Sequence, residues 1–178
     1  PNHPQSYGNR GNVYDANGEY EKAVTDYTKA IELKPDYADA YFNRASTYMN
    51  LKKYNDAAAD FRKLLQIAPD DAAAAASLAE IFLITSKLPD LKKVLDENRN
   101  ALSKKNYLPL VVFYEAVLNL LGGESDTAKE TSILRNAIAK FGKPKWDFTE
   151  ITTWAATASI SPEATSAILA MIDILKKS

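Results

Sequence analysis

The sequence predicts an all-α fold of stacked helical hairpins, and three observations carry that prediction. First, Tyr7, Asn9, Arg10, Tyr14, Tyr20, Ala23, Asp26, Lys29, Pro35 and Asp36 each recur as the same residue 34 positions later, at Tyr41, Asn43, Arg44, Tyr48, Tyr54, Ala57, Asp60, Lys63, Pro69 and Asp70. Three further pairs are near-equivalent: Gly11 with Ala45, Tyr27 with Phe61, and Leu33 with Ile67. Second, each unit holds two apolar stripes at helical spacing with a breaker between them. Third, proline closes both units. A fixed period of this length marks a repeat array. Such arrays work through extended surface rather than a catalytic pocket.

The elements follow in order. Tyr7, Gly11 and Tyr14 sit at i, i+4 and i+7, on one face of a first helix. Asp15 to Glu19 supplies a turn, with Asn17-Gly18 as its breaker. Tyr20, Ala23, Val24, Tyr27, Ala30 and Ile31 make the stripe of a second helix, which Pro35 ends. Small residues at Gly11/Ala45 and Ala23/Ala57 let the paired helices approach, and the aromatic residues fill the space around them. Each hairpin keeps one apolar face that the next must bury.

The segments Tyr7-Gly8-Asn9-Arg10-Gly11 through Pro35 and Tyr41-Phe42-Asn43-Arg44-Ala45 through Pro69 resemble tetratricopeptide repeats, and the resemblance covers residues 4–71. It implies antiparallel helix pairs stacked into a right-handed superhelical solenoid whose inner groove binds peptide segments of other proteins. The whole chain reads as one helical repeat domain, 1–178. Within it lie a first repeat (4–37), a second (38–71), a degenerate hairpin (72–105), a divergent hairpin (106–142) and a C-terminal helix pair (147–178).

Beyond residue 71 the echo fades while helical spacing continues. Asp70-Asp71 can cap a helix over Ala72–Thr85, with Leu78, Ile81, Phe82 and Ile84 on its apolar side. Pro89 fits the first turn of a partner carrying Leu91, Val94 and Leu95. In the 34-residue register Ala75 replaces the tyrosine and Ala79 keeps the small crossing position. Residues 107–121 form a strongly apolar helix, Gly122-Gly123 breaks it, and Asp126 to Phe141 gives its partner. Asp147 with Glu150 reads as a capping box, and Ser161-Pro162 as an N-cap followed by proline, starting helices over 148–158 and 162–177. The last helix is apolar on much of its circumference, through Ile168, Leu169, Met171, Ile172 and Leu175. Three accounts of that stand open: Trp146 and Trp154 cover it, another copy docks on it, or the native chain continues.

Composition excludes several classes. Lys and Arg total 22 against 23 Asp and Glu, so no net charge advertises nucleic acid or an anionic membrane. No apolar run is long enough to span a bilayer, and no signal-peptide pattern opens the chain. A start at Pro1 reads as trimmed, so cytoplasmic, periplasmic and secreted settings stay open, the first being favoured. Without cysteine there is neither disulfide nor zinc-thiolate site. His3, the one histidine, has no companion for catalysis or metal binding. Asp70, Asp71 and Asp90 stand at helix starts, where capping and the helix dipole account for them. Gly122-Gly123 follows a helix and lacks the Lys-Ser/Thr of a phosphate loop. The tyrosines fill core positions of the repeat, without the basic clusters that base stacking needs. No catalytic residue, cofactor or metal is therefore assigned.

Two constellations remain. Gln5, Asn9, Asn12 and Ala16 share a face of the first helix opposite its partner; their counterparts are Asp39, Asn43, Ser46 and Asn50, with Phe42 beside them. Ser77 and Glu80 continue the stripe in the third hairpin. An asparagine amide both donates and accepts, so it can pair with a peptide backbone whatever that peptide's side chains. Similar tetratricopeptide grooves use asparagines this way, and Asn9 and Asn43 match that position. The alternative is a solvated, idle face. A subgroup of the family clamps the C-terminal carboxylate of heat-shock chaperones with lysine and arginine on three successive first helices. Asn43-Arg44 matches part of that pattern, but Gly8, Asn9, Ala73 and Ser77 stand where cations are needed.

The second constellation is Arg10 and Arg44, where the family more often has leucine, recurring with Asp26 and Asp60. Each arginine is expected to pair with a nearby repeat aspartate, within a unit or across the junction between units, since an unpaired charge there would be costly; the alternative folds it out to water over its apolar stem. The leading function is a non-catalytic protein-binding scaffold with a peptide or helix of a partner in its concave groove. The second is a structural or assembly role, with the apolar C-terminal helices mediating self-association or docking.

Overall fold

The computed structural model describes residues 3–104, 106–123, 126–142, 144 and 146–176. Residues 1, 105, 177 and 178, which bound some segments anticipated above, lie outside that set. Among the described residues every regular element is a helix: α1 (Pro4–Ala16), α2 (Tyr20–Leu33), α3 (Ala38–Asn50), α4 (Tyr54–Ile67), α5 (Ala72–Ile84), α6 (Leu88–Glu97), α7 (Arg99–Leu102), α8 (Leu108–Gly122), α9 (Thr127–Phe141), α10 (Thr149–Thr157) and α11 (Pro162–Lys176). They gather into two compact units, residues 1–81 and 82–178.

In the first unit α1 pairs with α2 and α3 with α4, while α3 also packs on α2 and touches α1. Proline at the start of α1 has the φ that a first helical turn needs. The chain reverses at Gly18, where φ is +75°. That left-handed conformation costs an ordinary residue about 1 kcal/mol, and glycine avoids the cost. Lys52 and Ser86, in the same register, adopt it nonetheless, with φ of +56° and +55°. First helices start at Pro4, Ala38 and Ala72, and second helices at Tyr20, Tyr54 and Leu88. The backbone thus keeps the 34-residue interval through the starts of α5 and α6, where most side chains have abandoned it. The agreement ends with α6, which stops at Glu97 and gives way to the short α7.

Close approach of the paired helices sets the core of the first unit. Gly11 of α1 lies under the ring of Tyr27 of α2; a Cβ there would stand 2.6 Å from Tyr27 Cε1. Tyr27 is 1% exposed. In the second hairpin the equivalent residues, Ala45 and Phe61, are both fully buried, as are Ala57 and Leu64.

The second unit is built on α8, which buries Leu110, Phe113, Tyr114 and Val117 and pairs with α9. Gly123, with φ of +71°, ends α8. Asp126 then caps α9 by accepting the Lys129 N–H at 2.7 Å. Ser161 Oγ accepts the Ala164 N–H at 3.1 Å and caps α11. At α10 the arrangement differs from the anticipated capping box. The helix opens one residue later, with Phe148 at the N-cap. Asp147 instead accepts the N–H and hydroxyl of Thr149, at 2.9 and 2.6 Å. Those bonds hold its carboxyl below the usual range. The apolar side of α11 is covered by the unit itself: Ile168, Met171, Ile172 and Leu175 are at most 3% exposed, and α11 packs on α8, α9 and α10. Trp154 is buried, donating Nε1–H to Ser86 Oγ at 3.1 Å, while Trp146 stands edge-on to Tyr107.

Gly11→Ala should test the helix crossing. Alanine gains about 1 kcal/mol of helix propensity, while overpacking costs about 1–3 kcal/mol. With Tyr27 enclosed, the second effect should win, giving a net loss of about 1 kcal/mol read as a lower urea midpoint.

Candidate functional site

The two repeat arginines are locked to the outer helices of their own hairpins. Arg10 of α1 donates Nε–H and Nη2–H to Asp26 of α2 at 2.6 and 2.7 Å. Arg44 of α3 donates the same pair of groups to Asp60 of α4 at 2.7 and 2.8 Å. Each guanidinium also lies against two tyrosine rings, Tyr7 and Tyr14 for Arg10, Tyr41 and Tyr48 for Arg44. A planar fork meeting a carboxylate at two points is the strong form of this pair. The hydrogen bonds and charge of Asp26 raise the Arg10 pKa. Burial pulls Arg44 the other way, but Asp60 more than offsets it and the pKa is again raised.

The two pairs differ in burial. Arg44 has a further bond across the hairpin junction, from Nη1 to Thr28 Oγ1 at 2.8 Å, and its side chain is 15% exposed. The Arg10 side chain is 57% exposed. The same difference separates Thr47, which is fully buried beside Asp15, from its counterpart Val13, which is 59% exposed.

With both arginines engaged, the inner stripe carries no free cation from α1 or α3. Its centre is a hydrogen-bonded junction of three helices. Asn12 Oδ1 accepts from Tyr27 Oη–H at 2.8 Å and from Asn43 Nδ2–H at 2.9 Å. Tyr27 is itself pushed up to about 12, first by burial and then by the charge of Asp15. Asn9 is exposed, and its amide has no hydrogen-bond partner among the described residues. Beside this junction lies a cavity of about 250 Å³, walled by Gly8, Asn9 and Asn12 from α1 and by Asp39, Phe42 and Asn43 from α3. Tyr37, Ala38, Ala40, Leu64 and Asp71 complete it.

Five of the ten anticipated groove residues therefore line one cavity: Asn9, Asn12, Asp39, Phe42 and Asn43. Gln5 and Asn50 are exposed at the two ends of the stripe, away from it. Ser46 spends its hydroxyl on the Phe42 carbonyl at 3.0 Å, and Phe42 packs edge-on to Phe61. Ser77 and Glu80 are 8% and 5% exposed, so they belong to the interior and not to an open stripe. The third hairpin departs here because α5 is apolar on nearly every side, which turns its few polar residues inward. Sequence reasoning missed Gly8, Tyr37, Leu64 and Asp71. Tyr37 and Asp71 are equivalent positions one period apart, each just before a first helix, so the period itself held the signal.

A family model for "TPR repeat" matches residues 11–52, and one for "Tetratricopeptide repeat" matches residues 38–71. Residues 11–71 are tetratricopeptide repeats. Solved structures with the same fold include MamA (15% identity, covering 98% of this chain and 92% of that one, TM-score 0.66). Another is YrrB, described as a TPR protein with an unusual peptide-binding site (19%, 96% and 86%, TM-score 0.60). A third is the first TPR of Spaghetti bound to the HSP90 peptide SRMEEVD (21%, 77% and 94%, TM-score 0.52). At these identities the likeness shows the fold. No curated protein matches the chain. Among the described residues no helix is long and apolar enough to cross a membrane, and no three His, Asp or Glu side chains converge on a metal position.

Two outcomes test the repeat geometry. Arg44→Met should lower stability by about 3 kcal/mol by leaving Asp60 buried without its partner. Arg10→Met strands the equally buried Asp26 but on a side open to solvent and with no bond like that to Thr28, so it should lower stability by less, and paired urea melts compare them. Folded Tyr27 holds its proton more tightly than the unfolded chain does, so its stabilisation is complete below pH 10 and lost as pH rises through about 12. Tyr27→Phe should cost about 1 kcal/mol at pH 7 through the lost bond to Asn12, and its deficit should narrow in melts at pH 11.5.

Proposed function

We propose that the chain is a non-catalytic protein-interaction scaffold, and that it holds an extended peptide segment of a partner in the cavity between α1 and α3. The observation that carries this reading is the amide set at Asn9, Asn12 and Asn43. Asn9 has both amide groups unspent. Asn12 and Asn43 are fixed by a shared bond, which leaves the Asn12 Nδ2 and the Asn43 Oδ1 to face a ligand. Donors and acceptors held in one place suit an extended backbone, which presents N–H and C=O groups at regular intervals. Because Tyr27 and the helix crossing hold Asn12 in position, little ordering entropy is lost on binding. Spaghetti with its bound HSP90 peptide and YrrB with its unusual peptide-binding site, both on the same fold, add support.

The alternative of self-association through the C-terminal helices has less in its favour. Of the apolar side chains of α11 that suggested it, Ile168, Met171, Ile172 and Leu175 are packed within their own unit, and Leu169 is half-buried.

A labelled peptide selected by display on the immobilised chain provides the test. Asn9→Ala with Asn43→Ala should weaken its binding at least ten-fold by fluorescence anisotropy, at about 1 kcal/mol for each lost hydrogen bond. Unchanged affinity in a folded double variant would sink the groove reading.

A further inference from the structure

The charges around the cavity point to the chemistry of its occupant. We propose that the groove selects a cationic segment, one that brings a lysine or arginine side chain to Asp39 and Asp71. This rests on the groove reading above and adds to it the class of ligand.

The argument is one of charge complementarity. Every ionisable carboxylate or cation lining the cavity is an aspartate: Asp39, on the first turn of α3, and Asp71, just before α5. Asp39 is exposed and makes no hydrogen bond or ion pair among the described residues. Asp71 uses Oδ1 to accept the Ala74 N–H at 2.9 Å, which leaves Oδ2 available. The cations that could have balanced them are held elsewhere. Arg10 and Arg44 face Asp26 and Asp60, and Lys34, whose ammonium sits 5.2 Å from the centroid of the Tyr37 ring, is engaged on that ring and is not itself among the residues that line the cavity.

The starts of α3 and α5 also face this region, and helix N-termini favour anions. Each is worth roughly half a positive charge, so two of them add about +1 against the −2 of the aspartates. The balance stays negative. Asp39 and Asp71 also already occupy the positions where an incoming anion would gain from those helix ends. An acidic ligand would therefore meet two carboxylates and no free cation, whereas a guanidinium or ammonium would meet matched charge beside amides that take the neighbouring backbone. Partly enclosed walls strengthen such pairs relative to open water.

Retention of end-blocked peptides tests this, since blocking removes terminal charges and leaves the side chain as the variable. Degenerate nonapeptide pools, each with Arg, Lys, Gln or Glu fixed at the centre, are passed over the immobilised full chain and the retained amounts compared. The Arg and Lys pools should be retained at least ten-fold over the Glu pool, with the ratio shrinking as salt rises. Asp39→Asn with Asp71→Asn should bring the ratio close to one; asparagine keeps the cap of α5. Asp39→Asn alone, which touches no capping bond, should lower the ratio several-fold and guards against a folding artefact. A Gln or Glu preference, or a cationic preference that survives both substitutions, would overturn the charge assignment. In that case retention still lost in the Asn9→Ala/Asn43→Ala variant would leave the groove reading standing. Retention of every pool unaffected by that variant, or no retention at all, would overturn both.

Discussion

The contact between Gly11 and the ring of Tyr27 is the constraint on which the first unit depends. Only a residue without a side chain lets α1 come that close to α2. That approach brings the Tyr27 hydroxyl to Asn12, and Asn12 in turn holds Asn43 on the next hairpin. A packing requirement in the core is thereby transmitted, in two hydrogen bonds, to the amides that line the cavity. Cavity and core are one connected structure, and the second hairpin, with Ala45 and Phe61 at the equivalent buried positions, lacks the hydroxyl that makes the polar relay.

The arginine–aspartate pairs work at right angles to that relay. Each ties first and second helices together from within a hairpin, and Arg44 extends the tie to Thr28 of the hairpin before it. Pairing of this kind gains little net energy over an apolar substitute, but it is intolerant of misplacement. It specifies which helix faces which, and it removes two cations from the groove side. The electrostatic character of the cavity is thus partly a by-product of how the hairpins are fastened.

How much of this was legible in the sequence varies by region. The 34-residue echo, the stripes at Tyr7, Gly11 and Tyr14, and the closing prolines point to the paired helices of residues 4–67. The pairing of Arg10 with Asp26 could be anticipated because both recur together and burial forbids a lone charge. Ser77 and Glu80 went astray because register alone cannot say how far an alanine-rich helix is enclosed, and α5 is enclosed almost throughout. Asp147 has the spacing of a capping-box start with Glu150, but the hydroxyl and amide of Thr149 satisfy it locally, two residues ahead of the helix. Tyr37 and Asp71 stayed hidden because they precede their helices, outside the stripes that helical spacing reveals. The period that was already in view would have found them.

The unequal cover over Arg10 and Arg44 has a mechanical consequence. In a linear array each hairpin is steadied mainly by its neighbours, so the member with less of its surface enclosed opens at the lower free energy. Of the two hairpins of the first unit, that is the one carrying Arg10 and Val13 in solvent. Any segment that lies across α1 and α3 bridges it to the better-enclosed second hairpin. Occupation of the cavity would then register as resistance to opening of the first hairpin, and its loosening would in turn weaken capture. Cavity and hairpin are linked as a clasp is to its hinge.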